Sequence, residues 1–462
     1  MEKQLLNACE KGDIVELQQL LNNPNINLNY QDQENRFRTP LCIACYKGHI
    51  EIVKLLLKDN RVDVNEANNY GSTPLSIACL HGHIEIVKLL LNDERVDINK
   101  ANDNWTPFYN ACVNGHIEIV KLLLNDQRVD VNKENNDGGF TPFYFACYKG
   151  YIEIVKLLLN DNRVDINKAS NEDETPLWIA CRIGHIEIVK LLLNDKRVDV
   201  KNASVYDGTP FHIACKEGHI EIVKLLLNDQ RIDINKPNRF CQTPASMACS
   251  NGHIEIVKIL LNDDRIDINK TTVDINKTSP YGKTPFWIVC QEGHIEIVKI
   301  LLNDKRVDFN KTNWREQTPL WIACENGHIE IVKLLLNDER VDINKAMNSG
   351  VTPFYIACKN GHLEIVKLFL NDKRVDINKA NHYSQTSFWI ACQKGHVEIV
   401  KYILASGREI DINKRDHEGK TALNCVRERG KENIIELIES FERNPDETRN
   451  KLRIQLGLAG NI

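Results

Sequence analysis

The order of apolar and polar positions shows the chain to be one short phrase written many times. From Thr73 the phrase opens Thr-Pro, runs through the mostly apolar LSIACLH and breaks at Gly82. Threonine suits an N-cap, proline the first helical position and glycine a left-handed C-cap, so the spacing predicts a short helix. A second helix is predicted from His83. Its polar residues Glu85, Lys88 and Asn92 make one solvated stripe. Ile84, Ile86, Val87, Leu89, Leu90 and Leu91 occupy the rest, more apolar surface than a lone helix sustains in water. RVDINKANDNW, rich in Asn and Asp, then forms an extended turn leading to Thr106-Pro107.

The phrase keeps time over nearly the whole chain. Glu-Ile-Val-Lys occurs eleven times between Glu51 and Lys401, and Thr-Pro ten times between Thr39 and Pro353. Thr386-Ser387 and Thr421-Ala422 continue the series in altered form. The step is 33 to 35 residues, except for one of 41 between Thr243 and Thr284. That step contains IDINKTTVDINKTS, a doubled seven-residue phrase read as a duplicated insertion near 265–280 that lengthens one loop. Each unit has two helices and a turn and cannot cover its own apolar face, so it must stack on a copy of itself.

A unit of this length with Thr-Pro-x-His-x-Ala, then Gly-His-x-Glu and Asp-Val/Ile-Asn, resembles the ankyrin repeat. Thr209-Pro210-Phe211-His212-Ile213-Ala214, Gly218-His219-Ile220-Glu221 and Asp233-Ile234-Asn235 carry the likeness almost position for position. Three departures are systematic. The family's Gly-Ala-Asp turn becomes an Arg-Val/Ile-Asp phrase, the second alanine of its Ala-Ala pair becomes cysteine, and most copies replace the histidine, commonly with a large aromatic. The resemblance implies an all-α solenoid of helix-turn-helix units joined by short β-hairpin-like turns. It also implies a concave groove, lined by the first helices and turn tips, where partners bind. The organisation expected is an N-terminal capping half-repeat over 1–28, the array over 29–416, a C-terminal capping repeat over 417–443 and a tail over 444–462 with one extra helix.

Composition narrows the picture further. Apolar residues make up 42% and charged residues 27% of the 462, which suits a folded chain. A formal net charge of -5 gives no strong pull toward nucleic acid or an anionic membrane. The start MEKQLLNACEKGD has no apolar core of a secretory signal, and no apolar run approaches a membrane span. An intracellular, reducing compartment, cytoplasm or nucleus, is expected, with the chain a monomer. Of the fifteen cysteines, thirteen occupy one slot of the unit, eleven of them after alanine. Packed helices sit about 8–10 Å apart, beyond the roughly 7 Å Cα limit of a disulfide, so this ladder should stay reduced.

Candidate chemistry is sparse. His83-x-Glu85 could suggest a metal site, but even with Cys79 it falls short of three or four ligands. The same slot holds Asp13, Tyr151 and Lys431 in other units, which points to a framework role near the helix start. No phosphate-binding loop or nucleophile elbow is present, so no catalytic residue, cofactor or small-molecule substrate is expected.

Function should lie where the copies disagree. The turn tips vary most: Tyr70, Trp105, Phe140, Glu174, Tyr206, Arg239, Phe240, Tyr281, Trp314, Arg315 and Tyr383. A second set falls two residues after the proline position: Tyr109, Tyr144, Trp178, His212, Trp287, Trp321, Tyr355 and Trp389. Four residues further come Val113, Tyr148, Arg182, Lys216, Gln291, Glu325, Lys359 and Gln393, on the same helical face. Aromatics interleaved with Arg and Lys suit protein-binding hot spots; for the turn tips that reading is preferred, whereas for the ring ladder packing between neighbouring first helices is the stronger of the two. The arginines of the Arg-Val/Ile-Asp phrase, Arg61 to Arg374, read as a solvated or carboxylate-paired ridge, because an aspartate follows each at i+2. The reading is a non-catalytic scaffold for a protein partner. Its alternatives are a structural spacer within an anchoring or regulatory assembly, or a nucleic-acid or membrane-surface binder, which the acidic balance disfavours. For the framework, Leu90→Ala should cost about 2–5 kcal/mol in a denaturant melt. A loss below about half a kcal/mol would show that Leu90 is not buried between units.

Overall fold

A computed structural model of the chain describes residues 1–31, 39–100, 105–269 and 282–458. The doubled phrase falls largely on 270–281, outside the described residues, as does Tyr281. Among the described residues there are twenty-seven helices and no strand; the single β-bridge joins Ser204 and Gly208. The chain falls into two compact units, Met1–Asp233 and Ile234–Ile462.

Each helix pair follows from its sequence. Thr73 Oγ1 accepts the Ser76 N–H at 3.2 Å at the start of the helix Pro74–His81, and Gly82 closes it in the left-handed conformation, φ 76°. Glycine is needed there twice over. A Cβ at Gly82 would stand 2.7 Å from the His116 ring of the next pair, besides the strain of its φ. The helix Ile84–Leu91 buries Ile86, Val87 and Leu90 while Glu85 and Lys88 pair in solvent at 2.6 Å. Leu90 is fully buried, as is Cys79.

Stacking is sequential within each unit. In the first, the helices Pro74–His81, Pro107–Val113, Pro142–Lys149, Pro176–Ile183 and Pro210–Glu217 pack each on the one before, and the second helices form a parallel row. The second unit repeats this from Pro244–Ser250 to Ala422–Glu428. The helix Pro445–Gln455 occupies the tail, packing against Val397–Ala405 and Glu432–Arg443 with Thr448 and Leu452 buried. In place of hairpin strands, the connections are tight loops closed by a side chain. Asn68 Oδ1 accepts from the N–H groups of Tyr70 (3.0 Å) and Ser72 (2.9 Å), an Asx turn that ends pairing too soon for a ladder.

Three recurring side chains tie each pair to its neighbour. Asn132 donates from Nδ2 to the Arg163 carbonyl (2.7 Å) and accepts the Asp165 N–H at Oδ1 (2.7 Å), so one amide satisfies two backbone groups of the next pair. Arg163 reaches back to the Leu124 carbonyl (2.7 Å), at the end of the preceding second helix, where the helix dipole favours a cation. His83 reaches the Tyr46 carbonyl through Nε2 at 3.2 Å, which makes that nitrogen the donor.

The framework role expected of the histidine slot takes a specific form: at the start of the second helix the ring makes no capping bond but turns back onto the preceding pair, and Tyr151 and Lys431 lie on the equivalent glycines Gly115 and Gly395. One expectation is corrected. The arginines pair with the aspartate two residues before them: Arg163 meets Asp161 at 2.6 Å, and this bond holds the Asp161 carboxyl below its usual range. The preceding aspartate wins because its Oδ1 also accepts the Arg163 backbone N–H (2.9 Å), folding the two into one turn. The described cysteines are all free, and burial pushes the Cys9 and Cys249 thiols up to about 12. Removing one amide tie tests this account. Asn132→Ala should cost about 1–3 kcal/mol in a denaturant melt, two bonds at about 1 kcal/mol each plus partial rehydration. Asn132→Asp, which keeps an acceptor for the Asp165 N–H and loses the donor, should fall between.

Candidate protein-binding surface

The ring ladder of the first helices lies inside. Tyr109, Tyr144, Trp178, His212, Trp287, Trp321, Tyr355 and Trp389 are each no more than 4% exposed. Of the two readings of the ladder, packing is the one this burial matches: as they stand, the rings fill the framework and present little surface. The reason is the stacking itself, since the position two after the proline points at the neighbouring first helix. Their polar ends show the same direction. Tyr144 donates from its hydroxyl to Glu174 (2.7 Å), Trp287 from Nε1 to the Gln317 carbonyl (3.0 Å), Trp321 to the Val351 carbonyl (3.1 Å) and Tyr355 to Gln385 (3.3 Å). His212 turns inward instead, taking the Thr209 N–H on Nδ1 at 3.2 Å. The Tyr109 hydroxyl and the indole N–H groups of Trp178 and Trp389 are buried without a partner.

The turn tips divide into two groups. Tyr70, Tyr206, Phe240, Trp314 and Tyr383 are exposed, from 48% for Phe240 to 61% for Tyr70. Two of them carry a neighbouring guanidinium over the ring, Arg239 on Phe240 at 5.0 Å and Arg315 on Trp314 at 4.6 Å. Tyr383 lies 5.2 Å from the His417 ring of the next turn. Trp105 and Phe140, by contrast, are half-buried. They sit directly before their Thr-Pro step and lean on the ladder rings Tyr109 (5.1 Å) and Tyr144 (4.7 Å).

Four residues beyond the ladder the chain meets solvent again. Arg182 and Lys359 are exposed; Val113, Lys216, Gln291, Glu325 and Gln393 are half-buried. Arg182 lies over Trp178 at 5.5 Å and 3.7 Å from Glu174. Burial raises the Glu174 carboxyl above its usual range, against the Tyr144 bond and the Arg182 charge, which pull it down. Lys216 pairs with Asp207 at 2.6 Å. Sequence reasoning missed two residues here. Lys283 lies over Trp287 at 4.6 Å and donates to Gln291 at 2.7 Å, and burial lowers its pKa. It sits in the slot of Trp105, Phe140 and Glu174, and that shared slot was the available signal. Phe145 is the other, half-buried in a slot where Ile77, Ile179 and Ile213 of other pairs are buried and the preceding pair buries Asn110.

The arrangement can hold another surface by ring contact and charge. Among the described residues no three His, Cys, Asp or Glu side chains gather as metal ligands, and no helix is long and apolar enough to cross a membrane. Stacked helix pairs with variable tips on a constant frame define a helical repeat protein. The model of the ankyrin repeats, three copies to the block, matches residues 5–102, 94–170, 162–238, 233–313, 271–346, 305–381 and 373–450. With nearly every residue inside one of these matches, the chain belongs to the ankyrin-repeat family. Comparison with curated proteins found no match.

The ladder's polar ends can be separated by experiment. Tyr144→Phe should destabilise by about 1–2 kcal/mol in a thermal or denaturant melt, since the half-buried Glu174 carboxylate loses its hydrogen bond and keeps the more distant Arg182 charge. Tyr109→Phe removes a hydroxyl that has no partner and should be neutral or stabilising. Equal losses in the two variants would contradict the assigned bonding.

Proposed function

We propose that this chain is a non-catalytic scaffold that docks a protein partner on its turn tips and on the solvent-facing residues of its first helices. Ankyrin repeats are generally protein-interaction modules, which favours this class of function. The observation that carries the reading is the Trp314–Arg315 pair. A tryptophan half exposed with a guanidinium across its face has no framework duty in its own repeat, whereas buried Trp321 a few residues away does. Trp and Arg are the residue types that anchor interfaces, and exposed rings otherwise weaken solubility. Phe240 with Arg239 repeats the arrangement at another tip. The constant parts of each repeat are occupied in holding neighbours, so partner choice falls to these variable positions. Capture of partners from lysate tests it, using the full chain and a variant carrying Phe240→Ala, Trp314→Ala and Arg315→Ala with unchanged melting. Retention of the captured protein should fall about tenfold or more. Capture unaffected by all three changes removes the tips, and capture of nothing by the unaltered chain favours a structural spacer.

A further inference from the structure

Six aromatic side chains from two consecutive repeats join edge to edge in the first unit. Trp105 meets Tyr109 (5.1 Å), Tyr109 meets Phe145 (5.6 Å), and Phe145 meets Phe140 (5.5 Å), Tyr144 (6.0 Å) and Tyr148 (5.8 Å). Tyr109 and Tyr144 are the buried base of this cluster; Trp105, Phe140 and Phe145 are half-buried, and Tyr148 is 39% exposed. The framework does not require these rings. The slot of Phe145 holds Ile77, Ile179 and Ile213 in other repeats of the unit, each at most 5% exposed. A phenyl ring there brings apolar surface out to solvent. Cations stand at one end of the strip. Lys149 lies 5.4 Å from the Tyr148 ring centre, and Arg182, about half exposed, belongs to the next repeat. The carboxylate nearest Arg182, Glu174 at 3.7 Å, already accepts the Tyr144 hydroxyl.

From this juxtaposition we infer that the strip from Trp105 to Arg182 binds an extended, proline-rich segment of a partner that carries an acidic residue beyond its last proline. The inference rests on the scaffold reading and names the partner's chemistry at one place on it. Aromatic-lined surfaces suit polyproline II segments, whose conformation is set before binding and costs little order. The periods also agree. Such a segment repeats its face every three residues, about 9 Å, while packed helices advance about 8–10 Å. Prolines three apart therefore meet the rings of one repeat and then the next. A β-strand repeats its face at about 6.6 Å and falls out of step. The cations at the far end complement a carboxylate, which fixes the direction of the segment.

The test titrates the full chain with a synthetic peptide bearing proline at every third position and a glutamate one step beyond the last. Controls are the same peptide with glycine for proline, with lysine for glutamate, and an amphipathic helical peptide of equal length. Saturable binding is expected, about tenfold weaker when either the prolines or the glutamate are replaced. Phe145→Ile installs the residue that Ile77, Ile179 and Ile213 supply at this slot, and Tyr148→Ala alters an exposed ring; each should weaken binding about tenfold with melting unchanged. Equal or tighter binding of the glycine, lysine or helical peptide overturns the inference. So does the absence of saturable binding at millimolar peptide, or binding indifferent to both variants. The tip residues Trp314 and Arg315 lie outside this strip. Loss of peptide binding with tip-dependent capture intact therefore removes this site alone, whereas peptide binding without tip-dependent capture removes the tips alone.

Discussion

A single helix pair from this chain carries more apolar surface than it can cover. Ile86, Val87 and Leu90 on the second helix and Ala78 and Cys79 on the first are buried only because a neighbouring pair lies against them. Two short helices of eight residues each are also far below the length at which helices hold in water alone. Every repeat thus depends on the one beside it, and the chemistry of the repeat follows from that dependence. The asparagine amide, the arginine guanidinium and the histidine ring each satisfy backbone groups of a neighbour that stacking would otherwise leave unmet. One rung differs. Lys201 stands where other repeats have asparagine, and its ammonium can donate but cannot accept a backbone N–H.

Neighbour dependence also divides the residues into two kinds. Many of those that face the next repeat recur, such as Thr at the cap, Gly at the close approach and Cys in the packed first helix, while the buried ladder position changes among Tyr, Trp and His. Those at the turn tips and four residues past the ladder meet water, and they vary from Tyr70 through Arg182 to Trp314. The surface proposed for a partner lies there, where the frame leaves the residues unconstrained. The buried thiols add no reactivity to that surface, since burial holds the Cys79 and Cys147 thiols well above the ordinary range.

The frame was legible in the sequence because its signals are local and repeated. Thr-Pro, the glycine stop and the Glu-Lys pair act within a few residues, and each appears in the fold where the spacing predicted it. What escaped lies between repeats. Arg163 has an aspartate two residues to either side, and only the turn geometry selects Asp161 over Asp165. The direction of Trp178 and Tyr355 depends on where the next first helix lies, which no spacing within the repeat records. Phe145 was passed over because it occupies an ordinary core slot. Its meaning comes from being too large for that slot and from the rings around it.

The central claim is that stability comes from contact between adjacent copies, so that any whole copy is replaceable by its neighbour. Deleting residues 319–352, one complete step from proline to the residue before the next proline, tests this most directly by denaturant unfolding. The account predicts that the shortened chain still folds, with a modest drop in midpoint and a transition slope reduced in proportion to the surface removed. Deleting only 319–327, which takes the first helix and its glycine stop and leaves the second helix, Ile329–Leu336, unsupported, should be far more damaging. If the whole-copy deletion abolishes folding, or if the two deletions are equally harmful, the claim is contradicted.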